Sequence, residues 1–395
     1  MNISANAIPR IDDETLREWR HDFHQHPETA FEEHRTSRRI AEILRGAGLD
    51  IVTGLGGGTG IVASLDGRLG EGPSIGLRAD IDALDVPEAT GLAYASQTPG
   101  KMHACGHDGH TTMLLGAACQ LARAPEFAGR VHFIFQPAEE SEGGGRVMVE
   151  EGLFERFPMQ AVYGVHNWPG LPVGEAAVHD RAVMAAFDVF TLTLTGDGCH
   201  AAMPHLGSDV ILAASQLVTQ LQGLISRETP AHQTAVLSVT QIHAGDAFNV
   251  IPETLELRGT LRCFDEPLRE HLAQRFQHAV DALAQFHGLT AHLDYQPRYP
   301  ATFNTPEHAQ RCAEVLEAMP QVARVHRDLP PSMASEDFAF MLQERPGAYI
   351  WLGNGEHSAA LHNPHYDFND ALAPIGVAYW TQLVQTLLSR QSDAR

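Results

Sequence analysis

Cysteine is scarce in this 395-residue chain: Cys105, Cys119, Cys199, Cys263 and Cys312 make five, an odd set with no Cys-x-x-Cys pair. Neither a disulfide framework nor a closed structural zinc site is indicated. Positive charge is also short, with 27 basic against 49 acidic side chains and a formal charge of -22. That balance repels nucleic-acid phosphates and anionic membrane surfaces, so neither is an expected partner. No apolar run approaches the roughly 20 residues needed to span a bilayer. The first 20 residues are polar and broken by Pro9, unlike a secretory signal. A cytoplasmic protein is expected.

Apolar residues make up 44% of the chain, and its 395 residues exceed the size at which a single core usually keeps growing. Two domains are expected. Leu16, Trp19 and Phe23, then Ile40, Ile43 and Leu44, fall at helical spacings on either side of Pro27 and predict two helices. Apolar runs at 60–65, 74–79, 131–135 and 161–165 predict buried strands, with helices at 111–123 and 146–154. This alternation predicts an α/β domain whose mainly parallel sheet is covered on both faces. From Phe187 the order changes. Strands at 187–195, 235–243, 254–261 and 290–296, with helices at 208–226 and 267–286, spell βαββαβ, a ferredoxin-like α+β unit. Residues 1–186 and 297–395 are therefore expected to form one discontinuous domain, with 187–296 inserted.

In open α/β sheets, ligands bind beyond the carboxyl ends of strands. Polar clusters follow three of the expected strands: Asp80 and Asp82, Glu139 and Glu140, and His166. A fourth cluster, His103, Cys105, His107, Asp108 and His110, is placed in a loop leading into the helix at Thr111. One thiol, three imidazoles and a carboxylate within eight residues favour a metal site over a polar loop capped by Asp108. Thiolate and imidazole suit zinc, whereas imidazole with carboxylate also suits manganese, cobalt or nickel. Adjacent Glu139 and Glu140 allow one to face the metal while the other acts as general base. His362 and His365 lie in a turn spelled by asparagine and proline.

Seven stretches, in this order, carry a resemblance: His24 to Glu28, Leu77 to Leu84, Met102 to His110, Phe135 to Glu140, His200 to His205, Asn249 to Glu253 and Met333 to Phe338. Through them nearly the whole chain resembles the hippurate hydrolase, aminoacylase and indoleacetyl-amino-acid hydrolase family of dinuclear-metal amidohydrolases. The resemblance implies that Cys105, His107, Glu140, His166 and His362 hold two divalent ions, with Cys105 bridging and Glu139 as base. It further implies that the inserted domain is a lid and dimerisation domain carrying His200 toward the reacting carbonyl, in a homodimer or larger homo-oligomer. A substrate carboxylate asks for a cation or amide donors, and Asn249, Arg258 and Arg262 lie on or beside one expected strand edge. Of these, Arg262 resembles the carboxylate-binding arginine of related enzymes, and Asn249 and Arg262 are expected to receive that carboxylate. More distant two-metal peptidases have a histidine where Asp80 stands and an aspartate where Cys105 stands. Asp80 and Asp82 are accordingly expected to orient ligands.

The expected reaction is hydrolysis of an N-acyl amino acid to a carboxylic acid and a free amino acid by metal-bridged water. Glu139 would move the proton and His200 would steady the oxyanion. A dipeptidase or aminopeptidase, and a non-catalytic metal-binding protein, are the alternatives on the same scaffold.

Overall fold

The computed structural model describes residues 11–140 and 142–390. The chain divides into two compact units. The first runs to Val183 and resumes over Phe303–Pro330 and from Asp337; the second comprises Met184–Thr302 and Pro331–Glu336. The borders expected at 186 and 297 lie a few residues from these, and 331–336, expected in the first domain, falls in the second unit.

Among the described residues, the first unit holds an eight-stranded sheet. Its spatial order is Asp50–Leu55, Gly60–Asp66, Arg130–Gln136, Ser74–Asp80, Ala161–Pro169, Gly347–Gly355, Glu175–Ala177 and Arg324–His326. The third to sixth of these run parallel and are almost wholly buried, which explains their continuous apolar runs. The flanking pairs are antiparallel except for the last, so the sheet is mainly parallel, as expected, with antiparallel pairings toward its edges. Glu175–Ala177 and Arg324–His326 are too short to leave a periodic signal, and Asp50–Leu55 is largely exposed.

Two departures from the expected boundaries shift functional residues. The helix predicted from Thr111 begins at His107 and runs to Arg123, so His107, Asp108 and His110 stand on its first turn rather than in a loop. Gly106 makes this entry possible: its φ is 90°, and a Cβ there would lie 2.4 Å from Asn167 Nδ2. The strand expected to end at Val165 continues to Pro169, which places His166 within the sheet opposite Trp351. In addition, the helix expected over 146–154 is two helices, Gly144–Glu150 and Leu153–Arg156, parted at left-handed Gly152.

The second unit contains a four-stranded antiparallel sheet in the order Ala235–Ala244, Thr254–Cys263, Ala186–Thr195, Thr290–Tyr299. Strict alternation of buried and half-exposed residues along Ala186–Thr195 marks one covered face. Leu192, Leu194 and Leu257 pack there against Leu217 of the helix Val210–Gly223 and against Leu272 and Phe276 of Glu266–His287. This is the ferredoxin-like order read from the sequence.

Among the described residues, one ion pair is buried in that core. Asp188 is fully buried and accepts from Arg269 Nε at 3.0 Å and from the Tyr295 hydroxyl at 2.5 Å. Removing one member of a buried pair leaves the other uncompensated, at a cost of about 3–5 kcal/mol. Arg269→Ala should therefore lower stability in urea unfolding by about that amount; a change below about 1 kcal/mol would place the pair among exposed, weak bridges.

Candidate metal centre

The ends of the central strands bring the singled-out side chains of the first unit together. Ligand-type atoms of Cys105, His107 and His166 lie within 4.8 Å of one another, as do those of Cys105, Glu140 and His362 and those of His107, Glu139 and Glu140. Cys105 is common to the first two trios. Its Sγ lies 3.4 Å from His166 Nε2, and Glu140 Oε1 lies 3.2 Å from His362 Nε2.

Neighbouring groups decide which ring nitrogen faces inward. His107 Nδ1 lies 2.9 Å from the Asp82 carbonyl oxygen and 3.2 Å from its Oδ1, so it donates there and leaves Nε2 as the lone-pair face. That Nε2 is buried and has no hydrogen-bond partner. His166 Nδ1 is likewise committed, at 2.6 Å from the Asn167 carbonyl. Asp82 Oδ2 accepts from the Glu140 N–H at 2.9 Å, so one aspartate steadies two prospective ligands.

Asp80, His107 and His110 form a further cluster of ligand-type groups, but the atoms that Asp80 and His110 offer are already used. His110 Nδ1 pairs with Asp80 Oδ1 at 2.6 Å, and its Nε2 accepts from Asn167 N at 2.9 Å. Asp80 Oδ2 accepts from Arg78 Nη1 at 2.7 Å. Burial opposes the charge on Asp80, yet His107, Arg78 and His110 hold its carboxyl well below the usual range. His103 belongs to none of these groups; burial pushes it down to about 4, so it stays neutral.

Sequence reasoning missed the buried network behind the pair Glu139 and Glu140. Arg78 donates to Gln136 Oε1 at 2.8 Å and to Asp337 Oδ1 at 2.9 Å. Gln136 Nε2 and the Gly145 N–H also reach Asp337, at 2.8 and 2.7 Å. The Asp337 N–H in turn approaches Glu139 Oε1 at 3.4 Å. An arginine between Leu77 and Ala79 in an otherwise apolar strand was the available signal, because such a charge is fully buried only when paired.

The donor set fits divalent cations. Burial and the charges of Glu140, Glu139 and Asp80 push the Cys105 thiol well above its ordinary value. For His107, burial opposes protonation, but Asp80 and Asp82 raise its pKa to about 10. The pocket is thus short of positive charge, and a cation would take the thiolate and the neutral imidazole that these shifts otherwise suppress.

His200, Asn249 and Arg262 lie in the second unit. His200 sits on the short strand Cys199–His200, paired with Val250–Ile251 directly after Asn249. It is exposed, and its Nδ1 accepts from the Ala202 N–H at 3.1 Å. Arg262 is half-buried over the Phe187 ring and donates from Nη1 to the Met333 carbonyl at 3.0 Å.

Peptidase family M20/M25/M40 matches residues 76–386. The chain is 35% identical to N-acetylcysteine deacetylase of Bacillus subtilis (strain 168), covering 93% of this chain and 96% of that protein. It is 36% identical to hippurate hydrolase of Campylobacter jejuni, over 96% and 98% of the two chains. A Bacillus subtilis structure described as a dinuclear metal-binding peptidase of the M20 family superposes with a TM-score of 0.83 at 32% identity, covering 95% of this chain and 98% of that one.

Asp82→Ala should weaken divalent-metal affinity by about 10–100-fold in chelator competition, because two ligands lose their support; unchanged affinity would contradict this. Affinity should also fall as pH is lowered, since protons on His107 and Cys105 compete with the cation, whereas pH-independent binding would place the ions elsewhere.

Proposed function

The chain belongs to peptidase family M20/M25/M40 and is an amide-bond hydrolase, and on that premise we propose that its substrate is an N-acyl amino acid, with Glu139 as general base. The observation that carries this reading is the placing of buried Glu139 beside His107 and Glu140, together with two ligand trios that share Cys105.

Cys105, His107, Glu140, His166 and His362 would hold two divalent ions, with Cys105 common to both. Such ions lower the pKa of a water from about 15.7 toward about 7 and polarise a carbonyl. The thiolate and imidazoles suit zinc, and the imidazoles with the carboxylates also suit manganese, cobalt or nickel. Glu139 takes the proton of the attacking water on a carboxylate oxygen and returns it to the departing nitrogen, which otherwise leaves as an unstable anion.

His200 supplies the oxyanion's hydrogen bond. The N–H of Ala202 already occupies its Nδ1, so the transferable proton is on exposed Nε2. Asn249 and Arg262 receive the substrate carboxylate, using donors beyond the one that Arg262 gives to Met333.

The second unit also serves as a lid and as the dimer interface. Every exposed large hydrophobic residue among those described, apart from Phe303, lies in it, including Ile211, Leu212, Val236 and Ile242. The strand Ala235–Ala244 is a largely exposed sheet edge. No helix among the described residues is long and apolar enough to cross a membrane. The five cysteines are free, which suits a reducing cytoplasm.

Glu139→Gln should keep its metal and fold while losing about 10²–10⁴-fold in kcat. His200→Ala should lose about 10²–10³-fold. Wild-type protein should cleave benzoyl-glycine and leave glycyl-glycine intact; the reverse preference would indicate a dipeptidase, and cleavage of neither a binding protein.

A further inference from the structure

Among the described residues, three that are not glycine have a positive φ: Phe31 at 61°, Ala138 at 53° and His362 at 62°. Side-chain-bearing residues rarely adopt such backbone, which persists only where the surroundings enforce it. His362 belongs to a ligand trio. The other two share one acceptor: the N–H groups of Phe31 and Ala138 donate to Glu33 Oε1 at 3.0 and 2.9 Å.

The other oxygen of Glu33, Oε2, accepts from the Thr59 hydroxyl at 2.7 Å. Glu33 is fully buried and belongs to none of the ligand-type groups, so it is not placed to hold an ion. What it holds is the left-handed turn at Ala138, the residue before Glu139. The far side of that turn is fixed as well. Gly144 donates to the Ala138 carbonyl at 2.9 Å, and a Cβ at Gly144 would lie 1.8 Å from the Pro137 carbonyl oxygen.

We infer that Glu33 is a positioning residue for Glu139: by accepting the Ala138 N–H it keeps the preceding residue left-handed and so sets where the Glu139 carboxylate enters the site. The inference rests on Glu139 being the base. Burial and the nearby Asp82 charge push the Glu33 carboxyl up to about 7, so a neutral group of the same shape suits its pocket. Glutamine is such a group. Its carbonyl can accept both backbone N–H groups while its amide donates to the Thr59 hydroxyl.

The test is a set of variants in the full-length, metal-loaded protein. Glu33→Ala should lower kcat about 10²-fold by misplacing the base, with KM within about twofold and metal content unchanged. Glu33→Gln should stay within about threefold of wild type and keep its pH profile. Adding Ala138→Gly to Glu33→Ala should restore kcat roughly tenfold, because glycine holds a positive φ without the brace. A merely structural role of Glu33 predicts no such rescue.

Wild-type kcat in Glu33→Ala, loss of metal from it, or failure of the glycine rescue would overturn the inference. If Glu33→Ala is insoluble, Glu33→Asp shortens the reach and must show the same loss and the same rescue. Glu139→Gln separates the two ideas. Full activity there sinks the base assignment, whereas an inactive Glu139→Gln beside an active Glu33→Ala sinks only the positioning role.

Discussion

A buried set of acidic donors with too little positive charge of its own is the constraint on which the first unit turns. Asp80, Asp82, Glu139, Glu140 and the Cys105 thiol gather at the ends of the parallel strands, and all but Glu140 are buried. Arg78 answers Asp80 and Asp337, yet among the described residues no lysine or arginine is bonded to the thiol, and His107 Nε2 has no hydrogen-bond partner. An uncompensated charge in such a place is expensive, so the shortage itself points to cations from outside the chain.

The scaffold serves this pocket through hydrogen bonds made one layer back from it. Asp82 sets the ring of His107 and the backbone of Glu140 together, Asn167 ties His110 to the Cys105 carbonyl, and Asp337 braces the segment that carries Glu139. Asn167 lies within a strand, Asp82 just after one and Asp337 at a helix start, where backbone directions are fixed by the sheet and its helices. Gly106 and left-handed Ala138 then turn the chain just before His107 and Glu139. Rigid elements thereby set side-chain positions that a loop would leave loose.

Much of this was legible in the residues. Three of the four buried central strands announced themselves as apolar runs, each followed by acidic or imidazole side chains, whereas Gly347–Gly355 was not foreseen, and the alternation after Phe187 matched the second unit's order. What escaped had physical reasons. The helix start at His107 depends on a positive-φ glycine and on burial of Asp108 against His24, which lies 84 residues away in the sequence. The short outer strands carry no period, so the mixed character of the sheet could not be counted. The family resemblance drew Arg78, Gln136 and Asp337 into matching stretches, but their mutual bonding is a tertiary fact. Glu33 went unread in the sequence, and it is the paired φ values of Phe31 and Ala138, with the N–H groups of both donating to its carboxylate, that mark it out.

Diffraction data collected at the absorption edge of the bound metal test the central claim most directly. The account predicts two anomalous peaks per subunit, both about 2.3 Å from the Cys105 sulfur, one beside His107 and His166 and the other beside Glu140 and His362. A single peak, or peaks remote from Cys105, would contradict it.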